Sequence, residues 1–201
     1  MLLLTKPTRA QLDAAIASQR DRDFAYAEVG ATRDGGRPAG YTIDHNRVAL
    51  GHGAATYERA RVALTRWTMF DFGWSTIHPA RAPIVRGTTV AALFHHLGFW
   101  SINVSRIVYT LDDTGDETDG VSRFGFAYGT LPEHAEIGEE RFSVQWDRRD
   151  DRVWYDLYAF SRPGHPLARL GAPLARMLQR RFVRDSKRAM TRAVDPTLPD
   201  E

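Results

Sequence analysis

One glutamate and one arginine in the middle of the chain have the side chains and positions to hold the polar end of a ligand. Glu140 lies in a segment with strand-like alternation and shares one face with Phe142 and Trp146. Arg106 lies at the base of another such segment. We hypothesise that Glu140 pairs with Arg106, or with Arg123, at the mouth of an apolar cavity and orients a ligand head group. The alternative is a weak ion pair at the sheet edge with no role in binding.

Histidine side chains could hold a metal ion, but their spacing does not favour it. His95 and His96 are adjacent on a predicted strand and so point to opposite faces. His45 and His52 fall in a predicted loop region, and the ligands of a metal should converge at a defined spacing. The chain has no cysteine, which excludes disulfides, zinc ribbons and iron–sulfur clusters. We therefore predict no metal site.

Familiar cofactor and catalytic motifs are absent from the sequence. It contains no P-loop, no G-x-G-x-x-G after a strand, no G-x-S-x-G and no H-E-x-x-H. Gly51 and Gly53 flank His52 ahead of a predicted helix, and this pattern favours a flexible helix start over phosphate binding. We predict no cofactor.

Aromatic side chains are plentiful, and most lie in predicted strands. The arginines concentrate on the predicted last helix instead, whereas the stacking of nucleic-acid bases needs aromatic and cationic groups together. This separation favours a core or a pocket lining over nucleic-acid binding. The side chains that we predict to line an apolar cavity are Trp100, Tyr128, Trp146 and Tyr155, with Arg106 and Glu140 at its polar end.

Charge is unevenly distributed, although the net charge is only +2. Between Arg162 and Val194 nine basic residues accompany a single acid, Asp185. One reading is the solvated outer face of an amphipathic helix. The other is a docking surface for an anionic lipid, protein or nucleic acid.

The pattern of apolar residues predicts an α+β fold. A curved antiparallel sheet packs on one long C-terminal helix, and two helices precede the strands. The helices are predicted over residues 8–22, 54–67 and 166–194, and the strands over residues 86–97, 100–111, 122–130, 139–146 and 152–161. The 201 residues suit one domain, with a folded core over residues 8–194 and a frayed tail over residues 195–201.

Two of the predicted strands constrain what covers the sheet. In the third strand Gly125, Ala127 and Gly129 share one face, which permits strong curvature or the close approach of another segment. In the fifth strand both faces are apolar. One face can pack against the last helix, and the other needs the N-terminal segments, a ligand or a second subunit. A homodimer is therefore one of the predicted arrangements.

Neither a membrane span nor a secretory signal is evident in the sequence. No run of 18 apolar residues exists, and the apolar stretch over residues 1–4 is too short for a signal peptide. We expect a cytoplasmic protein.

Several short motifs together resemble a domain-of-unknown-function family of bacteria and plants, the one numbered nineteen-ninety. They are Gly40-Tyr41, Gly73-Trp74, Arg106 to Tyr109, Arg123 to Pro132, Gly138 to Phe142, Val153 to Tyr155 and Ala159 to Pro163, within a match from about Tyr26 to Met190. The resemblance implies the helix-grip architecture of START-like proteins, whose members mostly bind hydrophobic molecules in a cavity beside the C-terminal helix. It also implies a leading strand, for which Tyr26 to Thr32 is our candidate.

We therefore predict a binding protein for a small hydrophobic or lipid-like ligand, held between the sheet and the C-terminal helix. A second hypothesis is an enzyme, hydrolase-like or cyclase-like, that uses the same cavity with Glu140 or His134 as general acid or base. A third is an interaction module that docks its basic C-terminal helix on an anionic partner.

Overall fold

The computed structural model describes residues 2–113, 120–164 and 172–195. The predicted turn between the second and third strands lies mostly outside these residues. So do the start of the predicted last helix, over residues 166–171, and the tail beyond Asp195.

The predicted helices and strands are present, and two further strands are added along the main path of the sheet. In chain order the elements are β1 (Leu2–Leu3), α1 (Arg9–Gln19), β2 (Thr42–His52), α2 (Gly53–Thr65), a 3-10 turn (Thr68–Phe70), β3 (Ser75–His78), β4 (Thr89–His96), β5 (Phe99–Asp113), β6 (Val121–Thr130), β7 (Glu136–Asp147), β8 (Arg152–Pro163) and α3 (Ala172–Val194). The additions are β2 and β3, while β1 pairs with β5 off the main path.

The strands form one curved antiparallel sheet that holds α3 against its concave face. Their order is β2-β8-β7-β6-β5-β4-β3. The Tyr155 hydroxyl on β8 lies 2.9 Å from the Ser186 hydroxyl on α3. From the other side, the Arg59 guanidinium of α2 donates to the Val194 carbonyl at 3.0 Å. This arrangement confirms the predicted α+β, helix-grip fold.

The middle of the concave face is an aromatic core. Phe126 and Phe142 lie side by side on β6 and β7 with ring centroids 5.5 Å apart. Phe182 of α3 packs against Phe142 and Phe70, with ring centroids 6.5 and 5.1 Å away. Burial of this apolar surface fixes the position of α3, because removal of large side chains from water supplies most of the favourable free energy of folding.

The convex face is covered by the N-terminal part of the same chain. Leu12 of α1 packs against Ile102 and Val104 of β5. Residues 24–32 lie across β6 and β7, and the small residues of β6 permit this close approach, as predicted. At Gly129 a Cβ atom would overlap the hydroxyl of Tyr26. Of the three coverings considered for this face, the structure therefore shows the N-terminal segments.

The predicted leading strand over Tyr26 to Thr32 is wrong. That segment consists of turns, and the strand that borders β8 is β2, so His45 and His52 lie on a strand rather than in a loop. The sequence of β2 conceals it, because both of its faces carry polar groups. One face carries Asp44 and Asn46 toward α3, and the other carries His45 and Arg47, which contact Asp156.

Candidate functional site

The concave face has a polar end, where β4, β6 and β8 finish and where β2, β5 and β7 begin. At this end Tyr128, Glu140 and Ala159 are successive cross-strand partners on β6, β7 and β8. Asp44 on β2 pairs with Ala159 and completes the row. Because directly paired residues share a face of the sheet, this row points toward α3.

Glu140 is the central polar group of this row. The Tyr128 hydroxyl donates to its Oε2 atom at 3.2 Å. Burial raises the pKa of Glu140 to about 8. The hydrogen bond from Tyr128 opposes this shift, and the nearby Glu136 and Asp44 carboxylates each add a smaller upward shift. At neutral pH this carboxyl is therefore mostly protonated. It can donate a hydrogen bond as well as accept one.

A second carboxyl group, Glu136, ties the beginning of β7 to α3. The side-chain amide of Gln179 donates to its two oxygens at 2.6 and 2.7 Å. Burial raises the pKa of Glu136 as well. Beside it, Arg176 lies 2.6 Å from Asp44 and donates to the Gln179 carbonyl oxygen at 2.9 Å. These contacts position α3 over the polar end.

Neutral polar groups extend the site onto β5. Ser101, Asn103 and Ser105 are buried on the same face. The Ser105 hydroxyl has no hydrogen-bond partner among the residues that the structure describes. Burial lowers the pKa of His134 to about 4, and its Nδ1 atom accepts from the Glu136 amide at 3.0 Å, so this ring is neutral. A buried hydroxyl without a partner costs free energy, and a polar ligand atom could supply that partner.

The concave face is closed in the middle and partly accessible at its polar end. Phe142 and Val144 have no accessible surface. Toward the beginning of β7, Glu140 and Glu136 are only half-buried. Ala159 on β8 and Phe94 on β4 are half-buried as well. Access therefore coincides with the polar groups of the face.

Two of the six predicted site residues lie together, and two others lie on the concave face farther away. Tyr128 and Glu140 are in contact. Tyr155 is fully buried beneath α3 and is hydrogen-bonded to Ser186. Trp146 is at the opposite end of β7, where its indole donates to Asp151 at 2.9 Å. The depression beside Trp146 has a volume of about 130 Å³, which is smaller than typical small-molecule sites.

The predicted pairing of Arg106 with Glu140 is wrong. Arg106 lies on the convex face, over the ring of Phe24, and donates to the Arg20 carbonyl at 2.8 Å. Arg123, the alternative partner, contacts Asp113 at 3.6 Å and also points away from α3. On β5 the residues that face α3 are Ser101, Asn103, Ser105 and Ile107, so Arg106 between them faces the other way.

Trp100 does not line the concave face either. Its ring stacks on that of His95 on the convex side, with centroids 4.3 Å apart. Glu136 and Gln179 are site residues that were not predicted from the sequence. Glu136 lies just before the predicted strand over residues 139–146, whereas β7 begins at Glu136. The alternation of side chains that continues back from Glu140 through Gly138 was the available signal.

Among the residues described, no group of three or more potential ligands could hold a metal ion. No helix in the same part of the chain is long and apolar enough to cross a membrane.

Solved structures with a similar arrangement have little sequence in common with this chain. A hypothetical protein from Helicobacter pylori has a TM-score of 0.45 and 13% identity, covering 76% of this chain and 85% of its own. Norcoclaurine synthase from Thalictrum flavum, in complex with dopamine and hydroxybenzaldehyde, has a TM-score of 0.43 and 10% identity, covering 82% of this chain and 96% of its own.

Sequence comparison gives closer relatives. A UPF0548 protein from Deinococcus radiodurans is 38% identical, over 96% of this chain and 98% of its own. Another from Dictyostelium discoideum is 34% identical, over 96% of both chains, and one from Arabidopsis thaliana is 33% identical over 78% of this chain and 75% of its own. The domain of unknown function DUF1990 matches residues 25–189, and the chain therefore belongs to the DUF1990 family.

Proposed function

We propose that the protein binds a small ligand with an apolar body and one polar group, at the polar end of the concave face. The observation that carries this proposal is Glu140. Its carboxyl is held away from water on an apolar face, receives one hydrogen bond from Tyr128, and lies where the face remains partly accessible. The polar group of the ligand would bind to Glu140 and Tyr128, and its apolar body would contact the neighbouring aromatic side chains.

The energetics of Glu140 support a role in binding. A buried carboxyl group with one hydrogen bond destabilises the empty protein, because lost hydration is only partly replaced. A ligand atom that bonds to Glu140 or to the Ser105 hydroxyl would recover part of this cost. Burial of its apolar body would add roughly 25 cal/mol per Å² before the cost of ordering is subtracted.

Binding can be tested with N-phenyl-1-naphthylamine, an uncharged apolar dye that fluoresces in apolar surroundings. We expect saturable, equimolar binding by the natural chain. Ala159→Phe would fill the space beside Glu140 and weaken dye binding about tenfold or more, a loss of at least about 1.4 kcal/mol. Glu133→Gln, on an exposed loop residue, is the matched control and should bind as the natural chain does.

Thermal unfolding of each variant shows whether it folds. If Ala159→Phe does not fold, Glu140→Gln replaces it. Dye binding by the natural chain should change around pH 8, where Glu140 titrates, and this change should be absent from Glu140→Gln. Saturable binding that neither substitution alters would contradict the proposed site, as would the absence of saturable binding. Native mass spectrometry of gently purified protein, followed by extraction under denaturing conditions, would identify a compound carried from the cell.

Catalysis in the same site is a second candidate function, favoured by the pKa of Glu140. A carboxyl group that titrates at about 8 is suited to proton transfer near neutral pH. His134, the alternative base, is less suited because its ring stays neutral down to a pH of about 4. Turnover of an extracted compound that is abolished by Glu140→Gln, but not by Glu133→Gln, would establish an enzyme.

A further inference from the structure

Four large apolar side chains are exposed at the polar end of the sheet. Leu97, in the turn between β4 and β5, and Phe99, the first residue of β5, are 66% and 45% exposed. Leu174 and Met177, on the first turns of α3, are 41% and 53% exposed. We call these four residues the rim patch. Exposed apolar side chains that cluster on two separate elements mark an interaction surface rather than a part of the core.

The two halves of the rim patch lie on the same end of the molecule. β4 finishes at His96 and β5 begins at Phe99, at the end of the sheet where β7 begins with Glu136. The first half of α3 is fixed at that end by the contact of Gln179 with Glu136. One turn beyond Met177, Arg181 lies over the Trp74 ring at 4.4 Å, and Trp74 packs on Phe94 of β4.

Cationic side chains continue from the rim patch along the outer face of α3. The helix carries seven arginine or lysine residues and one acidic residue, Asp185. Four of the five exposed arginines of α3 form a surface that we call the arginine face, and they are Arg180, Arg181, Arg184 and Arg188. Asp185 contacts the last three of them, so it offsets only part of their positive charge.

We propose that the rim patch and the arginine face dock the protein on an anionic lipid bilayer. The four apolar side chains would enter the boundary between head groups and acyl chains, and the arginines would contact the lipid phosphates while their aliphatic stems remain in apolar surroundings. The polar end of the sheet, which holds Glu140, would then face the membrane.

The partner that fits both surfaces is a bilayer rather than a nucleic acid or an acidic protein. A nucleic acid would satisfy the arginine face but would leave Leu97, Leu174 and Met177 in water, and the rim patch has one aromatic ring rather than a stacking platform. A bilayer that contains anionic lipids offers an apolar layer beneath a negatively charged surface. This arrangement matches an apolar tip beside a cationic face.

Co-sedimentation with vesicles tests the proposal without knowledge of any ligand. The probes are vesicles of phosphatidylcholine alone and vesicles with about one-third phosphatidylserine, a negatively charged lipid. We expect binding to the anionic vesicles only, and we expect it to weaken as salt is added, because screening shortens the reach of charges. The double variant Leu97→Ser, Met177→Ser should weaken binding about tenfold or more, as should Arg180→Glu.

The matched controls are Val62→Ser and Arg66→Glu, which alter exposed residues of and next to α2, and both should bind as the natural chain does. Circular dichroism and thermal unfolding show that each variant is folded. The proposal is overturned by equal binding to the two kinds of vesicle, by no binding, or by equal losses in the controls. It is also overturned if the double variant keeps full binding, or if poly-glutamate or a single-stranded oligonucleotide binds more tightly than the anionic vesicles.

Discussion

Two adjacent glutamates on β7 show how differently the two faces of the sheet use polar groups. Glu139 points to the convex face and is buried. It accepts from the Tyr26 hydroxyl at 2.8 Å, from the Gly30 amide at 2.7 Å and from the Thr32 amide at 3.0 Å. The Thr32 hydroxyl donates to it as well. Glu140 points to the concave face and receives one hydrogen bond, at 3.2 Å from Tyr128.

The difference separates a carboxyl group that serves the fold from the carboxyl group on which the proposed binding site rests. The donors to Glu139 come from the N-terminal segment, so this carboxyl fastens residues 26–32 to the sheet. Next to it Arg141 contacts Asp156 at 3.1 Å and donates to the Thr32 carbonyl at 2.8 Å. A buried polar group with all of its partners supports one conformation. Glu140 lacks comparable partners among the residues that the structure describes, and the proposed ligand would provide them.

The sharpest test of this comparison replaces each glutamate by alanine. Glu139→Ala removes the acceptor of four hydrogen bonds. Their donors, on Tyr26, Gly30 and Thr32, would be left without this partner. We expect the free energy of unfolding to fall by about 4 kcal/mol. Glu140→Ala leaves only the Tyr128 hydroxyl without a partner and should cost about 1 kcal/mol. Urea unfolding of both variants measures the difference.

Glu133→Ala, an exposed position on the loop that precedes β7, is the control and should stay within about 0.5 kcal/mol of the natural chain. Equal losses for Glu139→Ala and Glu140→Ala would contradict the comparison. That result would mean that both carboxyl groups are structural.

The sequence predicts which residues of one strand share a face, because side chains alternate with a period of two. Glu140 was placed correctly with Phe142 and Trp146 for this reason. Alternation does not reveal which of the two faces a strand turns toward the helix. Arg106 and Glu140 each lie on a well-patterned strand, and yet they occupy opposite sides of the sheet.

Contacts between distant segments were equally hidden from the sequence. Tyr26 and Glu139 are 113 residues apart, and Gln179 and Glu136 are 43 apart. The local pattern of apolar and polar residues in either segment does not predict its partner. The strand β2 was missed because it carries polar residues on both faces, and these are satisfied by Asp156 on one side and by Arg176 on the other.

A second prediction concerns stability against pH. The pKa of Glu140 is raised from 4.5 to about 8 in the folded chain. Between these values the unfolded chain releases the proton and the folded chain keeps it, so stability falls as pH rises through this window. At about 1.4 kcal/mol per pKa unit, this shift limits the loss of folding stability to about 5 kcal/mol. Water at the half-open site should reduce the loss to about 2–3 kcal/mol.

Glu140→Gln removes the titrating group, so its stability relative to the natural chain should rise from about pH 5 to about pH 9 by that amount. Urea unfolding across this range measures the effect. The stability of Glu133→Gln should change with pH in the same way as that of the natural chain. If the stability of Glu140→Gln did so as well, the carboxyl of Glu140 would be hydrated and the proposed site would lose its main support.

The smallest expected effect comes from the single hydroxyl that contacts Glu140. The hydrogen bond from Tyr128 lowers the pKa of Glu140 against the effect of burial. Tyr128→Phe should therefore raise this pKa further and extend the pH-dependent loss of stability to higher pH. Below this window the stability should change by about 1 kcal/mol or less. A carbon-13 NMR titration of the glutamate carboxyl groups measures the pKa directly.

Tyr158→Phe is the matched variant on the convex face, where the Tyr158 hydroxyl donates to the Gly35 carbonyl at 2.9 Å. It should lower stability by a similar amount without any change in the titration of Glu140, because its hydroxyl points away from α3. If both variants moved the titration equally, the two faces would be electrostatically coupled through the sheet. A shift in the pKa of Glu140 that occurs only in Tyr128→Phe would show that Glu140 responds to groups on its own face. A ligand that bonds to Glu140 on that face would then change its pKa in the same way.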